Sequence, residues 1–335
     1  MKSRAVKYQI FILVITISLF FFQTPGHASQ KKITIRGAVE TALDLTLKEI
    51  QGLPEFHINA VSILKEKQNE TDKEELIEVS NYSGILLRDL LERAGMEYKR
   101  KWEPGVIIRV RGENNEEVVF SFGEIFYSCI GRSTLLSYRK NGQLVKSSNG
   151  SLELIVSNDI RNGRRIESVT EIIVERVNID MKVYQEMKKE ITRPPTTYFQ
   201  LSDKKTGHTK KITFEDLTDL PKVQIHDKAQ IGDCVGFMGV YSYTGVTLRS
   251  FLEKEQFVSG AYDYSRYVAV YSENGFCATF SIGELFNSKL GNNIVMAYKK
   301  DGKILASGEA FLMMVAGEDN TGGRSVKQIS NMIVF

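Results

Sequence analysis

"SFGEIF" at residues 121–126 returns as "SIGELF" at residues 281–286, and this repetition decides the fold. Each copy is followed by a second similar stretch, "SYRKNG" in the first half and "AYKKDG" in the second. A hydroxyl residue three places before an acidic residue is typical of a helix N-terminus, where the hydroxyl accepts a hydrogen bond from a backbone amide. Each copy is therefore predicted to open a short helix. Capping is a simpler role for Glu124 and Glu284 than paired catalytic acids.

The repetition extends over most of the chain. From Ser121 and Ser281 onward the two halves align without a gap, at one constant spacing, and upstream of these serines the spacing lengthens twice. A spacing that changes only between motifs is what a duplicated domain with different loop lengths leaves. The aligned pairs include Tyr138/Tyr298, Gly142/Gly302, Asp159/Asp319, Gly163/Gly323 and Arg164/Arg324.

Each half is predicted to be mostly β with a few short helices. Short stretches rich in β-branched residues predict strands; they are "GVIIRVR", "EEVVFSF", "LELIVS" and "EIIVERV". Asn141-Gly142 and Asp301-Gly302 predict hairpin turns, because both central positions of such a turn need a positive φ. "ILLRDLLERAG" has the apolar spacing of a helix that stops at Gly95.

The domain boundary is predicted in "EITRPPTT", because Pro194 and Pro195 cannot continue a helix or donate to a sheet. The first domain is placed at residues 30–190 and the second at residues 195–335. Residues 1–28 are set apart as a signal peptide.

The signal peptide is predicted from three features of residues 1–28. A basic head precedes an apolar run, Tyr8–Phe22, and "TPGHA" then supplies small residues at the cleavage position. The protein is therefore predicted to be exported, to the periplasm or the extracellular space. An uncleaved signal that retains the protein at the membrane is the alternative, although the apolar run is short for a span of about 20 residues.

The charge balance argues against a nucleic-acid partner. Removing the three basic residues of the signal from the 44 in the chain leaves 41, equal to the 41 acidic residues. A nucleic-acid binder needs a net or clustered basic surface. We therefore predict no nucleic-acid partner, and no membrane contact beyond the signal segment.

Three cysteines, Cys129, Cys234 and Cys277, leave at least one thiol unpaired within a single chain. The chain contains no C-x-x-C, and its four histidines lack the spacing of a zinc or haem site. These residue types alone therefore indicate no metal centre.

Five ordered motifs carry a resemblance to a known family. They are "L-x-L-x-E-I/L-x-x-L-P", "Y-S/T-G-x-x-L-R-x-x-L", "V-x-F-S-x-G-E-L/I", "Y-x-x-x-G-x-x-L" and "G-G-R-S-V-K-x-I-x-x-M-I-V". This order resembles the molybdopterin-binding domain of the sulfite oxidase family, in both halves. The resemblance implies an α+β fold, in two tandem sulfite-oxidase-like domains of mixed β-sheets with short helices.

The resemblance also implies a cofactor site in the second domain. In the family a cysteine thiolate ligates molybdenum, and a basic, hydroxyl-containing loop holds the phosphate of the pterin. Cys234 lies near the expected ligand position, and Gly323, Arg324, Ser325 and Lys327 match the phosphate-binding stretch. A buried thiol, or a disulfide between Cys234 and Cys277, remains the alternative for that cysteine.

The first domain lacks these residues. Lys73 stands at the position of the cysteine, and Arg165 and Glu167 stand at those of Ser325 and Lys327. A glutamate repels a phosphate, so this domain is predicted to be structural.

The second domain also departs from the family. Tyr243 replaces the usual tryptophan, and the signal has no twin arginine. Two functions therefore stay open. One is an exported molybdopterin-dependent oxidoreductase with a redox partner protein in the cell envelope. The other is a cofactor-free module that binds a small-molecule ligand or a protein.

Overall fold

The computed structural model describes residues 31–67, 71–96, 105–145, 152–177, 197–232, 236–258, 262–305 and 312–335. The predicted signal peptide, the proline pair at the predicted domain boundary and Cys234 lie outside these residues. Residues 31–335 form one compact unit. Both halves of the chain therefore contribute to a single body.

Twenty strands make up most of the described structure. They are β1 (Lys32–Gly37), β2 (Leu43–Thr46), β3 (Phe56–Leu64), β4 (Leu76–Leu86), β5 (Val106–Gly112), β6 (Glu117–Ser121), β7 (Thr134–Lys140), β8 (Gln143–Leu144), β9 (Leu152–Val156), β10 (Ile166–Arg176), β11 (Tyr198–Asp203), β12 (Thr209–Thr213), β13 (Lys222–Gly232), β14 (Gly236–Thr247), β15 (Tyr267–Ser272), β16 (Cys277–Ser281), β17 (Ile294–Lys300), β18 (Lys303–Ile304), β19 (Met313–Ala316) and β20 (Ile329–Val334).

The helices in the described residues are short. The α-helices are α1 (Leu47–Gln51), α2 (Leu87–Arg93), α3 (Phe122–Phe126), α4 (Leu248–Lys254) and α5 (Ile282–Phe286). The 3₁₀ helices are Cys129–Ser133, Asn162–Arg164, Glu215–Leu217 and Gly291–Asn293. No helix in the described part of the chain is both long enough and apolar enough to cross a membrane.

The first half forms one ten-stranded mixed sheet. Its main order is β2-β1-β10-β9-β7-β4-β3, with β5 joining β10 to β6 and β8 paired with β7. Strand β1 runs parallel to β10, and β10 runs antiparallel to β5 and β9. The predicted class of mixed sheets with short helices is confirmed here.

The second half has the same order of elements, but its strands form two sheets. One has the order β12-β11-β20-β15-β16, in which β11 is parallel to β20. The other has the order β13-β14-β17-β18, with β19 paired to β17. Each strand from β1 to β10 thus has a counterpart, in order, from β11 to β20.

The helix caps predicted at Ser121 and Ser281 are confirmed. Ser121 Oγ accepts a hydrogen bond from the backbone amide of Glu124, and the Ser121 amide donates in turn to the Glu124 carboxylate. Thr46 and Glu49 form the same reciprocal pair at α1. Ser281 accepts from the amide of Glu284 at the start of α5.

The two predicted hairpin turns are also confirmed. Asn141 and Gly142 have φ of 50° and 78°, between β7 and β8. Asp301 and Gly302 have φ of 49° and 75°, between β17 and β18. These are the backbone conformations that an Asn-Gly or Asp-Gly pair adopts most easily.

The two halves share one hydrophobic core. All five residues of α3 and all five of α5 are buried. Phe122, Phe126, Leu285 and Phe286 belong to the same cluster of buried side chains, which also receives residues from the strands of both halves. Burial of one such side chain stabilises the fold by about 1.5–3 kcal/mol. The repeated stretch "S-x-G-E-x-F" therefore lies where the halves meet.

Candidate functional site

Arg324, one of the predicted phosphate ligands, is buried in ion pairs. Its Nε and Nη2 donate to the carboxylate of Asp319 at 2.8 and 2.6 Å, and its Nη1 lies 2.7 Å from Oε1 of Glu284. The guanidinium carbon is 4.8 Å from the ring centroid of Phe280. Only 1% of the side chain is exposed. The guanidinium thus faces carboxylates, and contact with a cofactor phosphate would require a different side-chain position.

Arg164 has equivalent carboxylate and aromatic neighbours in the first half. Its Nε and Nη2 donate to Asp159 at 2.8 and 2.5 Å, and its Nη1 donates to Glu124. The guanidinium carbon is 4.9 Å from the ring centroid of Phe120. In each half the aligned aspartate binds the aligned arginine: Asp159 binds Arg164, and Asp319 binds Arg324. The sequence analysis did not assign this role. The identity of these residues at equivalent positions of the repeat was the only signal.

Hydrogen bonds between the halves join the two arginine sites. Ser281 Oγ donates to Oε2 of Glu124 at 2.8 Å, and Ser121 Oγ donates to Oε2 of Glu284 at 3.0 Å. Arg324 Nη1 also donates to Ser121 Oγ at 3.1 Å. Each serine therefore caps its own helix and also binds the glutamate of the other half. We call these two serines, two glutamates, two aspartates and two arginines the buried ionic cluster.

Glycine inside each repeated stretch makes room for the arginine of the other half. A Cβ at Gly123 would lie 2.1 Å from Cδ of Arg324, and a Cβ at Gly283 would lie 2.2 Å from Cδ of Arg164. Both distances are much shorter than a van der Waals contact, so a side chain at either position would displace the arginine. The glycine of "S-x-G-E" is thus required by packing between the halves.

The buried ionic cluster has two more acidic than basic side chains, so it favours bound protons. Burial raises the pKa of Glu284 to about 7, against the opposing effect of Arg324. Burial likewise raises the pKa of Asp159 to about 6, against the opposing effect of Arg164. Burial alone would lower the pKa of both arginines, but the carboxylates raise it above its ordinary value. The arginines therefore remain charged while these two acids titrate near neutral pH.

The loop before β20 contains the other predicted phosphate ligands. The amide of Gly322 donates to the carbonyl of Ile231 at 3.0 Å, and the amide of Gly323 donates to Oγ1 of Thr321 at 3.1 Å. The amide of Ser325 donates to the carbonyl of Gly322 at 2.9 Å. The side chains of Ser325 and Lys327 are partly exposed. Among the predicted ligands that the structure describes, Arg324 is buried, whereas Gly323, Ser325 and Lys327 are partly exposed.

Gly323 also has a packing role. A Cβ at this position would lie 2.6 Å from the ring of Tyr127 in the first half. The backbone amide of Asn320 donates to the carbonyl of Tyr127 at 2.8 Å, so the loop rests on the other half of the chain.

The predicted metal ligand Cys234 lies outside the described residues. Ile231, three residues earlier in the chain, binds the loop at Gly322. Cys277 is a free thiol, so the alternative of a disulfide with Cys234 is wrong. Burial raises the pKa of the Cys277 thiol to about 12. Cys129 is an exposed free thiol. Within the described residues, no group of three or more His, Cys, Asp or Glu side chains is placed to hold a metal ion.

Comparison with known proteins gives one family match. Residues 22–174 match the oxidoreductase molybdopterin binding domain, so the first half of the chain carries a segment similar to this class of domain. No curated protein matches the chain. Among solved structures, the sulfane dehydrogenase SoxCD from Paracoccus pantotrophus is similar, at 14% sequence identity and a TM-score of 0.33. The match covers 74% of this chain and 58% of the matched chain.

Proposed function

We propose that the protein is a molybdopterin-binding oxidoreductase-like protein made of two copies of the domain, at residues 30–190 and 195–335, with its cofactor site in the second copy. The observation that carries the proposal is the match of residues 22–174 to the molybdopterin-binding domain. The sequence repeat extends this likeness to the second half. The same order of ten strands in both halves supports it further.

The second copy holds the cofactor through Cys234, Ser325 and Lys327. The thiolate of Cys234 suits molybdenum, and the hydroxyl of Ser325 and the ammonium of Lys327, two partly exposed residues, suit a phosphate. The contact between Ile231 and Gly322 supports a shared site, because it joins the phosphate loop to β13, which ends two residues before the cysteine in the sequence. When bound, the cofactor supplies oxygen-atom or electron transfer. Arg324 and Gly323 hold the loop in position from its buried side.

The first copy is structural in this proposal. Arg165, the counterpart of Ser325, is ion-paired with Glu153. Glu167, the counterpart of Lys327, has a side chain that is 78% exposed and carries the wrong charge for a phosphate. The first copy thus presents no set of donors equivalent to those of the second.

Metal analysis of the protein purified from its native cell envelope tests the proposal. We expect molybdenum and pterin in the native protein, and loss of both in the Cys234→Ser and Lys327→Glu variants. Glu167→Lys is the matched control, because it changes an exposed charge at the equivalent position of the first half and should leave the metal content unchanged. Native protein without molybdenum would contradict the proposal.

A cofactor-free binding module is the second candidate. The engaged amides of Gly322 and Gly323 and the buried guanidinium of Arg324 favour it, because fewer donors remain for a phosphate. In that case, folded native protein contains neither metal nor pterin.

The proposal includes export of the protein to the periplasm or the extracellular space. Its partner in the cell envelope is a small-molecule ligand or a redox partner protein. The basic and apolar segment within residues 1–28 supports export. N-terminal sequencing of the mature protein tests it: a first residue at or near Ser29 is expected, whereas a retained Met1 would indicate an uncleaved signal.

A further inference from the structure

The second half contains an apolar cleft with two lysines. The cleft has a volume of about 390 Å³, within the range of about 300–1,000 Å³ that small-molecule sites occupy. Its lining residues are Phe214, Leu217, Thr218, Lys222, Thr244, Tyr298, Lys299 and Ile304. Two of these residues are basic, and none of the described residues that line the cleft is acidic. A cleft of this composition favours a ligand with an apolar body and a negative charge.

A β-bulge gives the cleft its mixed character. Thr244 pairs with Lys299 and Gly245 pairs with Ala297, so Tyr298 is the extra residue on β17. Neighbouring residues of a regular strand point to opposite faces, whereas a bulge redirects a side chain. Tyr298 and Lys299 can therefore line the same cleft.

The aromatic wall is formed by Phe214 and Tyr298, whose rings meet edge to face at a centroid distance of 5.3 Å. Phe214 is 41% exposed, and Ile304 on β18 is 79% exposed. Water therefore covers apolar surface that a ligand could bury.

At the equivalent positions of the first half, the basic side chain is already paired with an acidic one. The counterparts of Lys222 and Lys299 are Glu55 and Arg139, and their side chains lie 3.5 Å apart as an ion pair. Burial, and then the neighbouring Glu55, raise the pKa of Tyr138, the counterpart of Tyr298. The second half has a lysine in place of that glutamate, and neither of its two lysines has an ion pair within the described residues.

We propose that this cleft binds a small amphipathic anion, an apolar chain or ring system with one carboxylate or other acidic head group. The apolar body lies between Phe214, Tyr298 and Ile304, and Lys222 and Lys299 bind the head group. An anion between two lysines replaces the charge that Glu55 supplies in the first half.

The cleft is separate from the proposed cofactor site. Lys222 begins β13, whereas Ile231, which contacts the phosphate loop, lies near the other end of the same strand. The strand between them spans at most about 30 Å, because a bulge at Asp227 interrupts its extended backbone. The two sites can therefore be tested independently.

Titration calorimetry with dodecanoate tests the proposal, with dodecanol as the uncharged analogue. We expect dodecanoate to bind the full-length protein and dodecanol to bind at least about tenfold more weakly, the loss expected for one charge-assisted hydrogen bond. Lys222→Glu should weaken dodecanoate binding by a similar factor. Lys303→Glu is the matched control, because it makes the same charge change at an exposed residue of β18 that does not line the cleft.

Three results would overturn the proposal. One is equal binding of dodecanol, which would show that the lysines do not recognise the head group. Another is equal weakening by Lys303→Glu, which would show only a general attraction of charge. The third is binding to anionic phospholipid vesicles without binding of free dodecanoate, which would assign the surface to a membrane. Lys327→Glu should leave dodecanoate binding unchanged, so failure of the cofactor proposal does not affect this test.

Discussion

Arg164 and Arg324 are counterparts with equivalent carboxylate partners, whereas Glu55 and Lys222 are counterparts with opposite charges. The first pair lies in the buried ionic cluster, where each side chain also shapes the packing of the other half. The second pair lies at the surface, where a change of charge leaves the core intact. Positions bound by reciprocal packing stay alike in the two halves, and positions facing solvent are free to acquire separate roles.

Removal of one buried arginine should have the largest effect. In the Arg324→Ala variant the carboxylates of Asp319 and Glu284 lose their buried cation, which costs about 3–5 kcal/mol. Urea unfolding measures the loss. Arg164→Ala should cost a similar amount, because it removes the cation from the equivalent carboxylates of Asp159 and Glu124. A large difference between the two variants would break the equivalence of the halves.

A methyl group at the repeated glycine should have the next largest effect. Gly123→Ala would place its Cβ 2.1 Å from Cδ of Arg324, and the resulting overpacking should cost about 1–3 kcal/mol. Thermal unfolding of Gly123→Ala and Gly283→Ala should give similar losses. Gly142→Ala is an informative contrast, because a Cβ there meets no atom within 4 Å and any loss comes from its φ of 78° alone.

The free energy of unfolding should depend on pH, because acidic side chains of the buried ionic cluster bind protons in the folded state. The pKa of Glu284 is about 7 in the folded protein and 4.5 ordinarily, so the folded state binds more protons between these values. Its stabilising contribution is complete below pH 4.5 and is lost as the pH rises through 7. Relative to Glu284→Gln, which does not titrate, the native protein should lose about 1.4 kcal/mol for each pH unit in this window.

Asp159→Asn sharpens the same comparison. The pKa of Asp159 rises from 3.8 to about 6, so its window lies at lower pH than that of Glu284. Urea unfolding at several pH values gives both slopes. Identical slopes for the native protein and the two variants would contradict the assignment.

Loss of one serine hydroxyl should have the smallest effect. Ser281→Ala removes the cap of α5 and the hydrogen bond to Glu124, with an expected cost of about 1–2 kcal/mol. Ser121→Ala should cost slightly more, because Arg324 also loses a hydrogen-bond acceptor. Calorimetric melting can rank the two variants, and equal losses would show that the extra bond contributes nothing.

The features that the sequence predicted are those set by neighbouring residues. The caps at Ser121 and Ser281 and the turns at Asn141-Gly142 and Asp301-Gly302 depend on side chains within three positions, so the local pattern was sufficient. The short β-rich stretches predicted strands, and the resemblance carried by the order of motifs implied that their sheets are mixed.

The environment of Arg324 could not be predicted in the same way. One of its partners, Ser121, lies in the other half of the chain, and a basic residue beside two glycines resembles an anion site until the fold brings carboxylates to it. The two lysines of the cleft, one on β13 and the other on β17, were missed for the same reason. Sequence spacing identifies equivalent residues but does not show which residues meet.

The crossed hydrogen bonds of Ser121 with Glu284 and of Ser281 with Glu124 are self-complementary: each half gives the other the same contact that it receives. This is the geometry of a twofold homodimer interface, here enclosed within one polypeptide. A covalent link keeps the two surfaces at high effective concentration, so their association does not weaken on dilution. It also releases the halves from exact symmetry, because one chain can carry two different surfaces on one paired core.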